Sequence, residues 1–250
     1  MEARPDPLVI GAIGGSGTRV FSKIIRRAGV FMGGHVDAQE DSQPLSRFYR
    51  EFASEYLAAS GDLEDRHREQ LSAFLADCLR EHLEGLPDPD NPWGVKNPRS
   101  ILMLPFWHER FPAMRFLHVI RSGLDMAYSE QQNQIRRHGH AILGRDIDRP
   151  WRERAMLWWA RVNGAAADYG EAKLGDRYLR VRLEDLCAAP KRTVRSLFAF
   201  VQSEGPIKAA VREVATPQTL GRWRERPQSE VVQLTTLGEP ALQRFGYLSA

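Results

Sequence analysis

Apolar residues recur along this chain in two rhythms. Short unbroken runs at 8–13 (Leu-Val-Ile-Gly-Ala-Ile) and 115–120 (Arg-Phe-Leu-His-Val-Ile) have the length and composition of strands buried on both faces. Residues 93–96 predict a shorter strand that stops at Asn97-Pro98. At 178–183 the pattern alternates, with Leu179, Val181 and Leu183 on one face and Tyr178, Arg180 and Arg182 on the other. Between the strands the spacing becomes helical. Val20, Phe21, Ile24, Ile25 and Ala28 line one face of a helix over 18–28, and Gly29 is a stop signal after it. Further helices are predicted over 44–59 and 63–85, through Ile101, Leu102, Leu104, Trp107 and His108, and over 124–133, 151–169, 190–203 and 205–215. Residues 33–42 read as an irregular polar segment, and 134–149 as a basic, loop-like insertion. Strands alternating with helices predict an α/β fold: a three-layer, P-loop-like domain with a mostly parallel sheet flanked by helices. One domain over 1–250 is expected, with 134–150 as a substrate lid.

Composition narrows the class without changing this picture. The 250 residues are 42% hydrophobic and 27% charged, the make-up of a soluble globular domain. A net charge of +3 is too small for nucleic-acid wrapping but suits a small anionic ligand. Cys78 and Cys187 stand far apart and in no metal-binding spacing, so reduced thiols and a cytoplasmic protein are expected. His67, His82 and His108 have no ligand partners in spacing, and no metal site is expected. No signal peptide and no membrane-spanning run is apparent, so no membrane insertion is expected.

Candidate chemistry falls at the predicted strand ends, where open parallel sheets bind ligands. Gly14-Gly15-Ser16-Gly17-Thr18-Arg19 joins the first strand to a helix. Such a turn aims backbone N–H groups and a helix N-terminus at an anion. Compared with G-x-x-x-x-G-K-[ST], it has Thr18 and Arg19 where an NTPase has its phosphate lysine and magnesium-binding hydroxyl. The 115–120 strand ends in Arg121, where an NTPase would place an acidic metal ligand. The loops therefore suit a nucleotide with an additional phosphate and no metal. Arg121 and Ser129 make a guanidinium-plus-hydroxyl phosphate grip if the Ser122-Gly123 turn folds back.

Three segments in this order resemble the sulfotransferases that use 3′-phosphoadenosine 5′-phosphosulfate (PAPS). Gly14–Arg19 is similar to the loop that holds the 5′-phosphosulfate. Residues 116–129, Phe-Leu-His-Val-Ile-Arg-Ser-Gly-Leu-Asp-Met-Ala-Tyr-Ser, resemble the strand-loop-helix whose arginine and serine bind the 3′-phosphate. Residues 178–186 resemble the strand near the adenine, with Leu183 in place of a tyrosine. The likeness spans about residues 8–190. It implies PAPS as donor, 3′,5′-ADP (PAP) as product, and a hydroxyl or amine acceptor on a glycan, glycolipid or small metabolite. It implies Gly14, Gly15, Ser16, Gly17, Thr18, Arg19, Arg121 and Ser129 as nucleotide contacts. Gly221-Arg222-Trp223 resembles the segment closing over the nucleotide, which adds Arg222. Lys96, in Trp-Gly-Val-Lys-Asn-Pro-Arg, resembles a lysine facing the transferring sulfuryl group. Many members carry a basic residue where Gly15 stands, so the compensating charge is expected from Arg19 or Lys96.

Sulfuryl transfer, by analogy with phosphoryl transfer, needs an in-line attack, a base for the acceptor and charge stabilisation on the leaving phosphate. The 33–42 segment is the natural source of the base. It offers His35, Asp37, Glu40 and Asp41, with Asp41 or Glu40 favoured and His35 next. The basic run Arg136-Arg137-His138-Gly139-His140 follows the phosphate-binding helix and points to an acceptor lid and an anionic acceptor. Two rival readings are a P-loop kinase and a non-catalytic nucleotide-binding protein of the same fold.

Overall fold

The computed structural model describes residues 4–248. Four parallel strands, β1 (Leu8–Ala12), β2 (Gly94–Lys96), β3 (Arg115–Ile120) and β4 (Tyr178–Arg182), form one sheet in the order β2-β1-β3-β4. The helices are α1 (Thr18–Arg27), α2 (Gln43–Ala58), α3 (Asp65–His82), α4 (Leu104–Arg110), α5 (Gly123–Ala127), α6 (Asn133–Leu143), α7 (Trp151–Tyr169), α8 (Leu183–Ala188), α9 (Pro190–Phe200), α10 (Ile207–Val211) and α11 (Gln228–Arg244). A 3-10 segment at Pro98–Met103 leads into α4.

Side chains on the two faces of the sheet enter two cores, which makes three layers. On one face Leu8, Ile10, Ala12, Leu117, Val119 and Val181 pack with Phe21, Ile24 and Ile25 of α1 and Val194 and Leu197 of α9. On the other, Val9, Val95, Phe116 and Ile120 meet the larger cluster around Phe48, Tyr49, Trp107, Trp158 and Trp159. Both faces are covered, which is why β1 and β3 read as unbroken apolar runs.

The chain leaves β1 toward β2 on one side, then returns past β1 to β3 and moves on to β4. The direction of progression thus reverses between β1 and β3. A crevice opens there beyond the strand C-termini, and ligands of such sheets sit in that crevice.

Two expectations from the sequence are corrected, and the tail adds a helix outside those predicted. The helix expected over 124–133 ends at Ala127, because the Gln132 side chain donates to the carbonyls of Met126 and Ser129 at 2.8 and 2.9 Å and replaces the next helical turn. The loop expected at 134–149 is instead α6 followed by a 3-10 segment, Gly144–Asp148. Ile135, His138 and Leu143 give α6 a buried face, and bare Gly139 lets Ile147 pack closely. The tail contains the 17-residue α11, whose Leu234, Gly238 and Leu242 are buried at four-residue spacing. Pro240 inside α11 masks that pattern in the sequence.

Candidate active site

The β1–α1 turn is an open cradle of backbone amides. Gly15 and Gly17 have φ of 95° and 85°, a region that favours glycine. Gly17 occupies the N-cap of α1 without any side-chain cap, and the first turn carries no acidic residue. The amides of Gly15, Gly17, Thr18 and Arg19 meet no backbone acceptor among the described residues. Free N–H groups at an uncapped helix start favour an anion. The Gln134 side chain of α6 ties the loop down: it accepts from the Gly14 amide at 3.2 Å and donates to the Ala12 carbonyl at 3.4 Å.

The second grip lies against this cradle. A Cβ on Gly15 would come within 3.2 Å of Ser129 Oγ, so the glycine is what lets the two motifs meet. Short α5 makes the expected reversal possible: the chain turns at Tyr128, and the Ser129 amide donates to the Met126 carbonyl at 3.0 Å. Arg121 is 3% exposed and forms a two-nitrogen pair with Asp125, itself 1% exposed, at 2.9 and 3.1 Å. Its remaining donors reach the backbone carbonyl and, at 3.3 Å, the hydroxyl of Thr219. The Gly221 amide also donates to Asp125, at 2.8 Å, and Arg222 donates to the Tyr128 carbonyl at 3.2 Å. The 219–222 segment thus closes over the end of α5 and brings Arg222 close to Arg121. Burial, then repulsion from Arg121, lowers the Arg222 pKa.

Lys96 and Asp41 stand on the other side of the cradle. Lys96, at the C-terminal end of β2, is 3% exposed and donates to Asp41 Oδ1 at 2.5 Å and to the Gln39 carbonyl at 2.8 Å. Burial raises the Asp41 pKa and lowers that of Lys96; the ion pair opposes both shifts without cancelling them. A small cleft of about 120 Å³ joins Asp41 to Gly14, Asn97, Pro98, Arg99, Gln131, Asn133 and Gln134. Asp41 therefore faces the same space as the loop.

The other candidate bases point elsewhere. Glu40, at φ 65°, turns back to accept from Arg26 at 2.9 Å and from Ser22 at 3.3 Å. His35 pairs with Glu84 at 2.8 Å and lines a separate cavity of about 610 Å³ with Arg47, Cys78 and Glu81. Asp37 accepts from the Gln39 and Asp41 amides at 2.8 and 2.9 Å and so holds the turn that presents Asp41. Arg19 is exposed and, among the described residues, reaches Gln39 Oε1 at 3.4 Å. Leu183 packs beneath Gly17 and lines a cavity of about 240 Å³ with Val20 and Pro217.

Several residues of the site have little local signal. Gln134, Thr219 and Arg99 belong to it only through tertiary contacts. Asp125 was legible in principle, since it follows Arg121 by four residues at a helix start. Among the described residues no three His, Cys, Asp or Glu side chains are grouped to hold a metal ion, and no helix is long and apolar enough to cross a membrane.

The sequence model of the Sulfotransferase family matches residues 16–204. This chain belongs to the sulfotransferase family. The solved structures agree on the fold. A sulfotransferase from Alicyclobacillus acidocaldarius aligns with a TM-score of 0.54 at 16% identity, over 97% of this chain and 94% of that one. The sulfotransferase domain of the Synechococcus PCC 7002 olefin synthase aligns with a TM-score of 0.58 at 14% identity, over 100% and 98%. Mouse sulfotransferase SULT7A1, complexed with PAP, aligns with a TM-score of 0.53 at 14% identity, over 97% and 86%. No curated protein sequence matches significantly. Membership makes the chain a transferase of sulfuryl groups in general terms, carried on a P-loop-like α/β fold.

Proposed function

We propose that this sulfotransferase takes its sulfuryl group from PAPS and delivers it to a hydroxyl or amine of a small-molecule or glycan acceptor, releasing PAP. The observation that carries the reading is the meeting of the uncapped 14–19 cradle with Ser129, beside Arg121 and Arg222, with no acidic metal ligand at the end of β3. The cradle amides and the Thr18 hydroxyl hold the 5′-phosphosulfate. Ser129 and Arg222 hold the 3′-phosphate, joined by Arg121 once its guanidinium donors leave Thr219. The cavity floored by Leu183 takes the adenine ring. A PAP-bound relative of the same fold supports the choice of nucleotide.

Asp41 and Lys96 divide the chemistry at sulfur. Asp41 takes the proton as the acceptor oxygen or nitrogen bonds to sulfur, and the bond from sulfur to the bridging phosphate oxygen breaks. Lys96 and the cradle amides balance the negative charge that grows on that oxygen. Burial favours Asp41 in this role, because a carboxylate with a raised pKa is the stronger base. Lys96 supplies the charge that Gly15 lacks: it is buried and paired with Asp41, which shares the cleft with Gly14, whereas Arg19 is exposed. Glu40 and His35 turn away from the cleft to Arg26 and Glu84, whereas Asp41 lines it beside Gly14, which supports Asp41 as the base.

Thermal shift decides between donors. PAP should raise the apparent stability by about 2.7 kcal/mol at a hundredfold excess over Kd. ATP with magnesium should give a smaller shift, and the reverse preference would overturn the reading in favour of a kinase. Ser129→Ala should weaken PAP about tenfold to a hundredfold, the worth of a hydrogen bond to a charged group, with little change in the melting temperature of the free protein.

A further inference from the structure

A cluster of arginines beside the Asp41 cleft forms no ion pair among the described residues. Arg99 lines that cleft two residues after Asn97, and its Nε is buried without a hydrogen-bond partner. Two contacts fix its neighbours. Asn97 donates to Ser46 Oγ at 2.9 Å, and His138 of α6 meets Ser54 Oγ at 3.0 Å. Ser46, Arg50 and Ser54 follow one another at four-residue spacing on α2 and share a face. They span about 12 Å along the helix axis. Arg50 therefore sits midway between the Asn97 contact and the His138 contact, next to Arg137. The arginines feel one another: burial, then repulsion from Arg137 and, more weakly, from Arg50, lowers the Arg99 pKa, and the attraction of Asp41 opposes this without cancelling it. None of the three forms an ion pair among the described residues. The nearby carboxylate, Asp41, is taken by Lys96. Arg136, by contrast, lies over the Trp151 ring at 5.6 Å and belongs to a different surface.

We propose that the acceptor carries an anionic group, a carboxylate, sulfate or phosphate, and that Arg99, Arg50 and Arg137 form the subsite that receives it. The inference rests on the proposed sulfuryl transfer, because it places the subsite across the cleft from Asp41. Arg99 lines the cleft and is half-buried, while Arg50 and Arg137 are exposed and close enough to repel it. An incoming anion removes the mutual repulsion of three guanidinium groups and fills the unused donor of Arg99. Its distance from Asp41 sets which hydroxyl or amine of the acceptor meets the base. An acceptor with no charge lacks this anchor.

Calorimetric titration tests the subsite directly. The chain is saturated with PAP, which fills the phosphate sites of the donor, and titrated at fixed ionic strength with sodium sulfate, sodium phosphate and sodium acetate. At least one anion should bind with one-to-one stoichiometry, and the order of affinity among the three identifies the charged group. Binding should weaken tenfold or more in Arg99→Gln and in Arg50→Gln and stay unchanged in Arg136→Gln. In turnover with PAPS, glucuronate should be a better acceptor than glucose, and Arg99→Gln should erase the difference through KM. Absence of anion binding, or equal binding in wild type and Arg99→Gln, overturns the proposal. The titration is repeated without nucleotide, comparing wild type with Arg99→Gln. A failure of PAP to bind then counts against the donor reading, while dependence on Arg99 still decides the subsite.

Discussion

Asp41 owes its position to the carboxylate four residues earlier. Asp37 gathers the Gln39 and Asp41 amides, Glu40 takes a positive φ and swings back to Arg26, and the turn leaves the Asp41 side chain on Lys96. Three acidic residues that look equivalent in the sequence thus acquire three different jobs. A consequence follows for the dependence of rate on pH. In the proposed mechanism Asp41 is the general base and works deprotonated, so kcat/KM should rise with pH through the Asp41 pKa. Burial raises that pKa, which should move the acid limb above the ordinary aspartate value of 3.8. Asp41→Asn should remove the limb and slow transfer by about 10²- to 10⁴-fold, while leaving PAP affinity nearly unchanged. Glu40→Gln should keep the limb. A wild-type limb retained in Asp41→Asn would assign the base elsewhere.

At the scale of elements, the β1–α1 turn shows how little tolerance the cradle has. Gly17 has φ 85°, and a Cβ there would lie 2.9 Å from a Leu183 methyl. Gly17→Ala should cost about 1–2 kcal/mol from backbone handedness alone, and more as Leu183 is pushed aside. Urea unfolding measures the loss, and PAP titration should show weaker binding because the displaced loop no longer aims its amides. The elements themselves were unevenly legible. β1, β3, β4, α1 and α7 carry unbroken, alternating or helical apolar patterns, and they form close to where those patterns place them. Two helices were hidden for physical reasons. In α6 the buried face includes Gln134, His138 and Gly139, polar or bare residues that gain their places only against α2, α7 and the 14–17 loop. In α11 the seam is Leu234, Gly238 and Leu242, and Gly238 reads as a break although it admits Met156 of α7 at close range.

Over the whole molecule, buried histidines link folding to pH, and of the three whose pKa values fall to about 4, His82 and His118 are the most deeply buried. His82 bridges Ser42 Oγ at 2.9 Å and the Gly94 carbonyl at 3.0 Å, and His118 bridges the Tyr178 hydroxyl at 2.6 Å and Asn163 Oδ1 at 2.9 Å. Burial pushes both pKa values down to about 4 from 6.5. Below pH 6.5 the unfolded chain takes up protons that the folded chain refuses until about pH 4, so acid favours unfolding across that window. Each histidine contributes a slope of at most about 1.4 kcal/mol per pH unit. Urea midpoints between pH 7 and pH 4 should fall accordingly, and less steeply in a His82→Gln, His118→Gln double variant. An unchanged slope in that variant would trace the acid sensitivity to other groups.

The sequence by itself determined the strand-and-helix alternation, the glycine turn and the placement of Lys96 and Arg121 at strand ends. These follow from local periodicity and from residues whose backbone preferences need no distant partner. Only the tertiary structure decided which acid meets Lys96, that Gln134 anchors the loop, and that Thr219 and Arg222 close over Arg121. It also gathered Arg50, Arg99 and Arg137, which come from three separate elements. The reason is physical: a buried charge is placed by whatever desolvates and pairs with it, and those neighbours are brought by strand order and helix packing, not by proximity along the chain.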